Sequence, residues 1–574
     1  MSTTITTGIT AASHPGFVEG LNWEREDTHF PDRMSRWGNE LFCRRQSAGI
    51  GMLCKRHGFL FDEVRMMELD GWVYASVIPA GGKPRPAPPK FLVPLLVRIV
   101  PDLRKRIAIM RKDEAEGYWG KVIEGWLSGG EQQLLDEGLG HLAVDLAGLS
   151  DTELADATNV AWAYADKAVT EHFHLHGAGI NEIMRLSMVL NREHGFTTAD
   201  LSGLLTGLSD TTTGPAGAQN AIVELIRDAG AVDTLTAASS LDEVRGISPE
   251  IDTAIDEYMD TWGRRAIRYE IAYPTIAEQP GWVLDLLKAQ LGRRTAADLA
   301  DAHAATRAEV EHRVLDALGD TPATRDRIAR ARRAFPVREG NETATVGVPA
   351  AVMRRFGQEA GRRLAAAGVL DDAEHVFDLE PAEVDAALRG NPRADAAVVA
   401  AGRFAARTAP VDGAPPRTIG PEPDLPDLSG FPDDIKEMVE AVLWFSSKAS
   451  TIDTGISDVD DIVTDAAAAA DVAGQGVAPG VYEGPARIVM GEAEFDRIEP
   501  GDVLVCPITS PVWSMVFPSL GALICDGGGP LSHPAIIARE FGIPAVVDTG
   551  DATSRLTDGQ MIRVDGGTGA ITVL

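Results

Sequence analysis

A histidine, His533, stands where a glycine-rich turn meets a helix: Gly527-Gly528-Gly529-Pro530-Leu531-Ser532-His533. Successive glycines let backbone N–H groups converge on an anion, and a helix N-terminus adds unsatisfied donors and partial positive charge beside them. The same field disfavours protonating the ring, so His533 is expected to be neutral and nucleophilic near pH 7. A neutral imidazole can attack phosphorus, and covalent capture splits one hard transfer into two displacements. Taken alone, the pattern also fits a histidine that merely begins a helix beside a tight turn. Thr509, in Pro507-Ile508-Thr509-Ser510-Pro511, could donate to a phosphoryl oxygen or simply fix its own turn. A second cluster is Glu171-His172-Phe173-His174-Leu175-His176. In a helix His172 and His176 share a face at i and i+4, a spacing that could ligate a metal. No third ligand such as the glutamate of His-Glu-x-x-His accompanies them, so no metal site is expected. A pocket wall or acid/base group for an acceptor hydroxyl, and a plain structural role, both stay open for these histidines. Arg338-Glu339 could orient an acceptor or receive phosphate, or be a solvated pair.

The elements that must position these groups are legible from pattern. Ser532 is a candidate N-cap, Pro534 lies in the first turn, and Gly542 stands where a helix C-terminus favours a left-handed residue, so SHPAIIAREFG reads as a helix over 532–542. Around it GVYEGPARIVM, GDVLVCPIT, GALICDGGG, IPAVVD and MIRVDGGTGAITVL are short apolar runs bounded by Gly, Pro or Asp, as strands of a compact domain should be. That domain spans 476–574. The small, acidic stretch before it, 451–475, reads as a flexible hinge. From 91 to 450 the pattern is repeated amphipathic helix, for example DTELADATNVAWAYADKAV and AAVMRRFGQEAGRRLAAAG, with a proline-rich extended stretch at 409–432 and a further helix near 433–448. Residues 1–90 mix turns and aromatics with one strand, GWVYASVIP, and end in a Pro/Gly-rich linker. The expected fold class is α/β multidomain.

Composition removes several function classes. Of 574 residues, 85 are acidic and 53 basic, a formal net charge of −32, which repels nucleic acid and anionic membrane surfaces. Four cysteines in so long a chain, at spacings matching no zinc pattern, do not form a disulfide framework and suit a reducing cytoplasm. No apolar run approaches the roughly 18 to 20 residues that span a bilayer, and the first residues lack a basic start followed by an apolar core, so a chain neither secreted nor membrane-embedded is expected.

The stretch GGGPLSHPAIIAREFGIPAVVDTG resembles the active-site signature of the mobile phosphohistidine domain of the phosphoenolpyruvate-utilising enzymes, shared by phosphoenolpyruvate synthase, pyruvate phosphate dikinase, rifampin phosphotransferase and phenylphosphate synthase. GVAPGVYEGPARIV resembles that domain's opening strands, Pro507 to Pro511 its Thr-x-Pro loop, and DGQMIRVDGGTGAITVL its closing hairpin. The resemblance implies a C-terminal swivelling β/β/α domain, with His533 phosphorylated and Gly528, Gly529, Ser532, Thr509 and Arg539 around the phosphate. Leu531 departs from the threonine of several relatives. Arg539, near the far end of the helix, could equally be a cation complementing a helix C-terminus. Upstream, Asn22 to Pro31 with its His29-Phe30-Pro31, Trp262-Gly263-Arg264-Arg265 with Pro274 and Glu278-Gln279-Pro280, and Arg338-Glu339 with Gly368-Val369-Leu370 and His375-Val376-Phe377-Asp378-Leu379 resemble the substrate region of rifampin phosphotransferase-like proteins. This implies an acceptor-binding role for the helical region and for His29, Arg338 and Glu339, and it puts His172, His174 and His176, whose role the residues leave open, inside that region.

Nothing in the sequence resembles a phosphate-cradling ATP-binding domain or a phosphoenolpyruvate barrel. The expectation is therefore a histidine-bearing subunit of a two-component, dikinase-type phosphotransferase that phosphorylates a hydroxyl of a small molecule. Mg²⁺ and ATP would be held by an ATP-grasp-type partner subunit, as in phenylphosphate synthase-like systems. A phosphoenolpyruvate synthase-like enzyme acting on pyruvate and a non-catalytic phosphocarrier or regulatory subunit are the competing expectations.

Overall fold

In the computed structural model the described residues are 14, 16–26, 29–84, 90–264, 266, 268–292, 296–410, 415–421, 428–449, 470–509, 513 and 516–574. Most of the hinge expected at 451–475, together with Asp27, Thr28, Arg265, Ser510 and Pro511, lies outside them. The chain forms two compact units, each assembled from separated segments: Met1–Gly177 with Arg265–Pro274 and Asn341–Lys436, and Ala178–Arg264 with Thr275–Gly340 and Glu437–Leu574.

The first unit carries a four-stranded sheet. The strand expected at 71–79 is β3 (Trp72–Pro79), and it pairs with β2 (Phe61–Leu69) on one side and β1 (Trp23–Arg25) on the other; β1 in turn pairs with β4 (Thr418–Ile419). All these pairings are antiparallel. Trp23, Met67, Leu69, Tyr74, Ile78 and Ile419 close the core on one face. Helix α1 (Gln46–His57) ends at Gly58, left-handed at φ 71°, where the Cβ of any other residue would lie 2.3 Å from the Arg106 carbonyl oxygen. The chain can turn there only as glycine. The two segments quoted as helical both are: α2 (Asp151–His194) contains the first, contributing residues to both units, and α3 (Val348–Ala366) is most of the second.

The second unit combines helices with an eight-stranded sheet. Its helices include α4 (Thr198–Gly203), α5 (Asp210–Asp228), α6 (Ala296–Leu318) and α7 (Pro322–Gly340). The sheet has the order β5-β12-β11-β7-β8-β9-β10-β6, formed by β5 (Val472–Ala473), β6 (Gln475–Ala478), β7 (Val481–Ile488), β8 (Val503–Cys506), β9 (Ala522–Cys525), β10 (Ala545–Val547), β11 (Met561–Asp565) and β12 (Ala570–Val573). Strands β7 to β10 run parallel; the flanking pairs are antiparallel. Each run expected to be a strand is one, all of β6 but Gln475 falls within GVAPGVYEGPARIV, and β5 is an addition to it. Strands β5 and β6 are separated by Gly474 alone yet sit at opposite ends of the order, so the sheet curls back on itself. A side chain at Gly474 would meet the Val547 carbonyl oxygen at 2.4 Å. Strands β8 and β9 are buried throughout, which is why their sequences are continuous apolar runs and not alternating ones.

Among the described residues no helix is long and apolar enough to cross a membrane. Cys506 and Cys525 are register partners across β8 and β9, with sulfurs 3.6 Å apart as free thiols.

Candidate functional site

The C-terminal ends of parallel strands are where an α/β sheet leaves room for a ligand. Two loops emerge there side by side, one from β8 and one from β9. They are zipped by Asp526 N–H donating to Cys506 O at 3.0 Å and Gly527 N–H to Pro507 O at 2.9 Å. The β9 loop then turns at Gly528, whose φ of +95° belongs to glycine and whose added Cβ would lie 2.9 Å from Ser532 Oγ. Ser532 N–H and Oγ both donate to Gly529 O, at 2.9 and 2.6 Å. Helix α8 (His533–Phe541) begins at once, with Pro534 in its first turn and Gly542 left-handed at φ 62° behind it. Helix bounds and caps therefore stand where the sequence puts them.

One expectation needs correcting. Ser532 occupies the N-cap position with extended backbone, but its hydroxyl gives no capping bond to α8. It is turned back onto Gly529 because the tight glycine turn brings that carbonyl within reach. On the adjoining β8 loop, Thr509 is fully buried, and its Oγ1 has no hydrogen-bond partner among the described residues. A buried hydroxyl left unsatisfied costs about 1–3 kcal/mol, so a group with an oxygen to offer would be received. His533 itself is half-buried at the helix start. Gly528, Gly529, Ser532, Thr509 and His533 are thus gathered on two adjoining loops.

Arg539 is placed apart. It lies in the last turn of α8, donating through Nε to Val477 O at 2.5 Å and through NH1 to Ser202 Oγ at 2.6 Å. Those bonds tie the helix to β6 and α4, which is packing work at the opposite end from His533. Its neighbour Glu540, which the sequence left without a task, is almost fully buried. Its carboxyl accepts from Gly207 N–H at 2.8 and 2.9 Å and from Thr206 Oγ1 at 3.1 Å, while its carbonyl oxygen accepts from His303 Nε2 at 2.8 Å. Burial pushes the Glu540 carboxyl up to about 7, against the hydrogen bonds from Gly207 and Thr206. Arg338 and Glu339, at the end of α7, bond to each other and are largely buried, so they are not the solvated pair that spacing alone allows.

The other expected residues fall in the first unit and divide into two groups. His172 and His176 do share a face, their rings 4.3 Å apart. His172 Nδ1 lies 2.8 Å from Asn341 Oδ1 and 3.0 Å from Thr345 Oγ1, and burial lowers its pKa to about 4. His29 is near this pair and adds repulsion to it. His29 Nδ1 is 3.0 Å from Glu26 Oε2, and its ring meets Tyr269 edge-on at 5.2 Å. The Tyr269 hydroxyl is bonded to Glu342. His174 points elsewhere: Nε2 is 2.9 Å from Tyr118 OH, beside His57, which Asp113 holds at 2.8 Å. Among the described residues no group of His, Cys, Asp and Glu is arranged to hold a metal ion. Sequence reasoning missed Glu26, Tyr269, Asn341, Glu342 and Thr345. Only Glu26 carried a local signal, three residues before His29.

Residues 498–569 match the PEP-utilising enzyme, mobile domain, and residues 172–339 match the rifampicin phosphotransferase fourth domain. The class these two matches point to is that of the phosphoenolpyruvate-utilising phosphotransferases, which the chain resembles over those two segments. Among similar proteins, a rifampicin phosphotransferase of a Streptomyces species is 31% identical over 366 residues, 62% of this chain and 37% of that one. An uncharacterized phosphotransferase, YvkC, of Bacillus subtilis is 54% identical over 95 residues, 17% of this chain and 11% of its own. The phosphoenolpyruvate synthase of Escherichia coli is 43% identical over 101 residues, 17% and 13% of the two chains. The chain thus spans 37% or less of the length of these relatives.

Proposed function

We propose that this protein is the phosphohistidine-bearing component of an ATP-dependent phosphotransferase, with His533 taking up a phosphoryl group and passing it to a hydroxyl of a small-molecule acceptor. The observation that carries the reading is His533 at the start of α8, directly behind the Gly528 turn, on a loop zipped to the one that holds Thr509, whose buried hydroxyl has no partner among the described residues, all within a segment matching the mobile domain. Gly528 and Gly529 amides, the first turn of α8 and Thr509 Oγ1 receive the phosphoryl oxygens; the ring nitrogen receives phosphorus. In this proposal ATP and Mg²⁺ are bound by a separate ATP-grasp-type subunit, a cytoplasmic arrangement supported by the resemblance to phenylphosphate synthase systems. The 476–574 segment swings between that subunit and the acceptor. Acceptor binding is assigned to the helical part, where 172–339 resembles the rifampicin phosphotransferase domain.

The test incubates the full chain with candidate ATP-grasp subunits, Mg²⁺ and β-labelled ATP, and follows acid-labile label on the protein. Label that appears in wild type and vanishes in His533→Ala is expected. Equal labelling of a folded His533→Ala protein would remove His533 from the mechanism. Phosphorylation of pyruvate, and of no alcohol or phenol, would favour the synthase-like alternative.

A further inference from the structure

His29 is not simply another ring on a wall. Glu26 Oε2 accepts both from the His29 backbone N–H and from ring Nδ1, each at 3.0 Å. A carboxylate there holds the proton on Nδ1 and leaves the lone pair on Nε2, the arrangement of a histidine base oriented by a third group. About half of the side chain, 49%, is open to solvent, so a substrate can reach it. Burial acts to lower its pKa, but the charge and hydrogen bond of Glu26 and the charge of Glu342 outweigh it, and the net direction is upward. That is the direction that strengthens a base.

The surroundings favour a particular kind of ligand. Tyr269 stands edge-on to His29, backed by Phe30 and Phe42 at 5.9 and 5.4 Å, both buried, which gives an apolar floor. Burial first, then Glu342, keeps the Tyr269 hydroxyl protonated far above its usual range, so it serves as a donor to Glu342 and not as a base. His172 is neutral, its Nδ1 engaged by Asn341 and Thr345.

We propose that His29 is the general base for the acceptor hydroxyl, with Glu26 its positioning residue, and that the acceptor is a phenol-like compound seated against Tyr269 and His172. This rests on the function proposed above. In the forward step the hydroxyl proton passes to His29 Nε2, the acceptor oxygen bonds to phosphorus, and the P–N bond to His533 breaks, its electron pair returning to the imidazole. His29 then releases the proton to water.

Two measurements on the full chain test this, and the first does not depend on His533. Ring-¹⁵N NMR titration should give a neutral His29 with its proton on Nδ1 and a midpoint above the ordinary value of about 6.5. The midpoint should fall in Glu26→Gln, and added phenol should shift the His29 signals. A proton on Nε2, or signals unmoved by saturating phenol, would overturn the dyad whatever happens at His533. The second runs the transfer backwards, from phenyl phosphate or p-nitrophenyl phosphate to His533. The poor leaving group needs His29 as its acid and the good one does not. His29→Ala should slow labelling from phenyl phosphate by about 10²-fold or more, and from the nitrophenyl ester only a few-fold. Equal losses with both esters would mean that His29 acts structurally.

Discussion

Replacing Glu540 by glutamine isolates a carboxyl that locks the histidine-bearing helix to the helical part of its own unit. Glu540 is 2% exposed, and burial raises its pKa from 4.5 to about 7 despite bonds from Gly207 and Thr206. The folded protein therefore holds this proton more tightly than the unfolded chain does. Its contribution to stability is complete below about pH 4.5 and is lost as pH rises through about 7. At roughly 1.4 kcal/mol per pH unit, the whole interval amounts to about 3 kcal/mol. His303, whose pKa burial lowers, works the other way and costs stability as pH falls below 6.5. Glutamine imitates the protonated acid: one oxygen still accepts from Gly207 and Thr206, and the amide faces His303 Nδ1, which lies 4.0 Å from Oε2. The variant should match wild type at pH 5 and gain at pH 8, where the 533–541 amides should exchange up to about 10²-fold more slowly after correction for intrinsic rates. Hydrogen-exchange mass spectrometry reads this directly. An unchanged pH dependence in Glu540→Gln, or lost protection at both pH values, would refute the argument. If it holds, the segment carrying His533 is released more readily above pH 7 than below it.

Three further outcomes are expected. Gly528→Ala forces a side chain into a left-handed turn and against Ser532 Oγ, so it should cost about 1–3 kcal/mol and abolish labelling of His533, as measured by denaturant melts and label counting. Thr509→Val removes a buried hydroxyl that has no partner among the described residues; stability should stay within about 1 kcal/mol of wild type or rise, while labelling falls about tenfold or more. A stability loss beyond that range would mean that the hydroxyl is engaged in the resting fold. Arg539→Ala loses bonds to Val477 and Ser202 and should destabilise by about 2–3 kcal/mol without slowing label uptake at a temperature where the variant is folded.

Much of the histidine-bearing segment was legible because its instructions are local. A glycine needed at positive φ, a proline tolerated in a first turn and a glycine that stops a helix each act within a few residues, so α8 and its turn could be drawn from letters alone. Strands β7 to β12 announced themselves as short apolar runs between turn formers. Strand β2 was missed although it is nine residues long. Its sequence, FDEVRMMEL, carries four charges and only gains strand character by pairing with β3. The Ser532 hydroxyl was misjudged because an N-cap preference is an average, and the Gly529 carbonyl is a closer acceptor in this turn.

The sequence by itself determined which residue type could carry phosphate, which turn could hold it and that a helix follows, since these depend on backbone sterics and on the dipole of one helix. Tertiary structure alone decided the rest. Strand β4 reaches β1 from nearly four hundred positions away, and Asn341, Glu342 and Thr345 come to His172 and Tyr269 from segments with no shared pattern. Glu540 became a buried, titratable lock only when Gly207 and His303 closed over it. Pairings of this kind are set by burial and packing summed over the whole unit, so no window of sequence contains them, and hydrogen bonds and pKa values that depend on them appear only once the chain has folded.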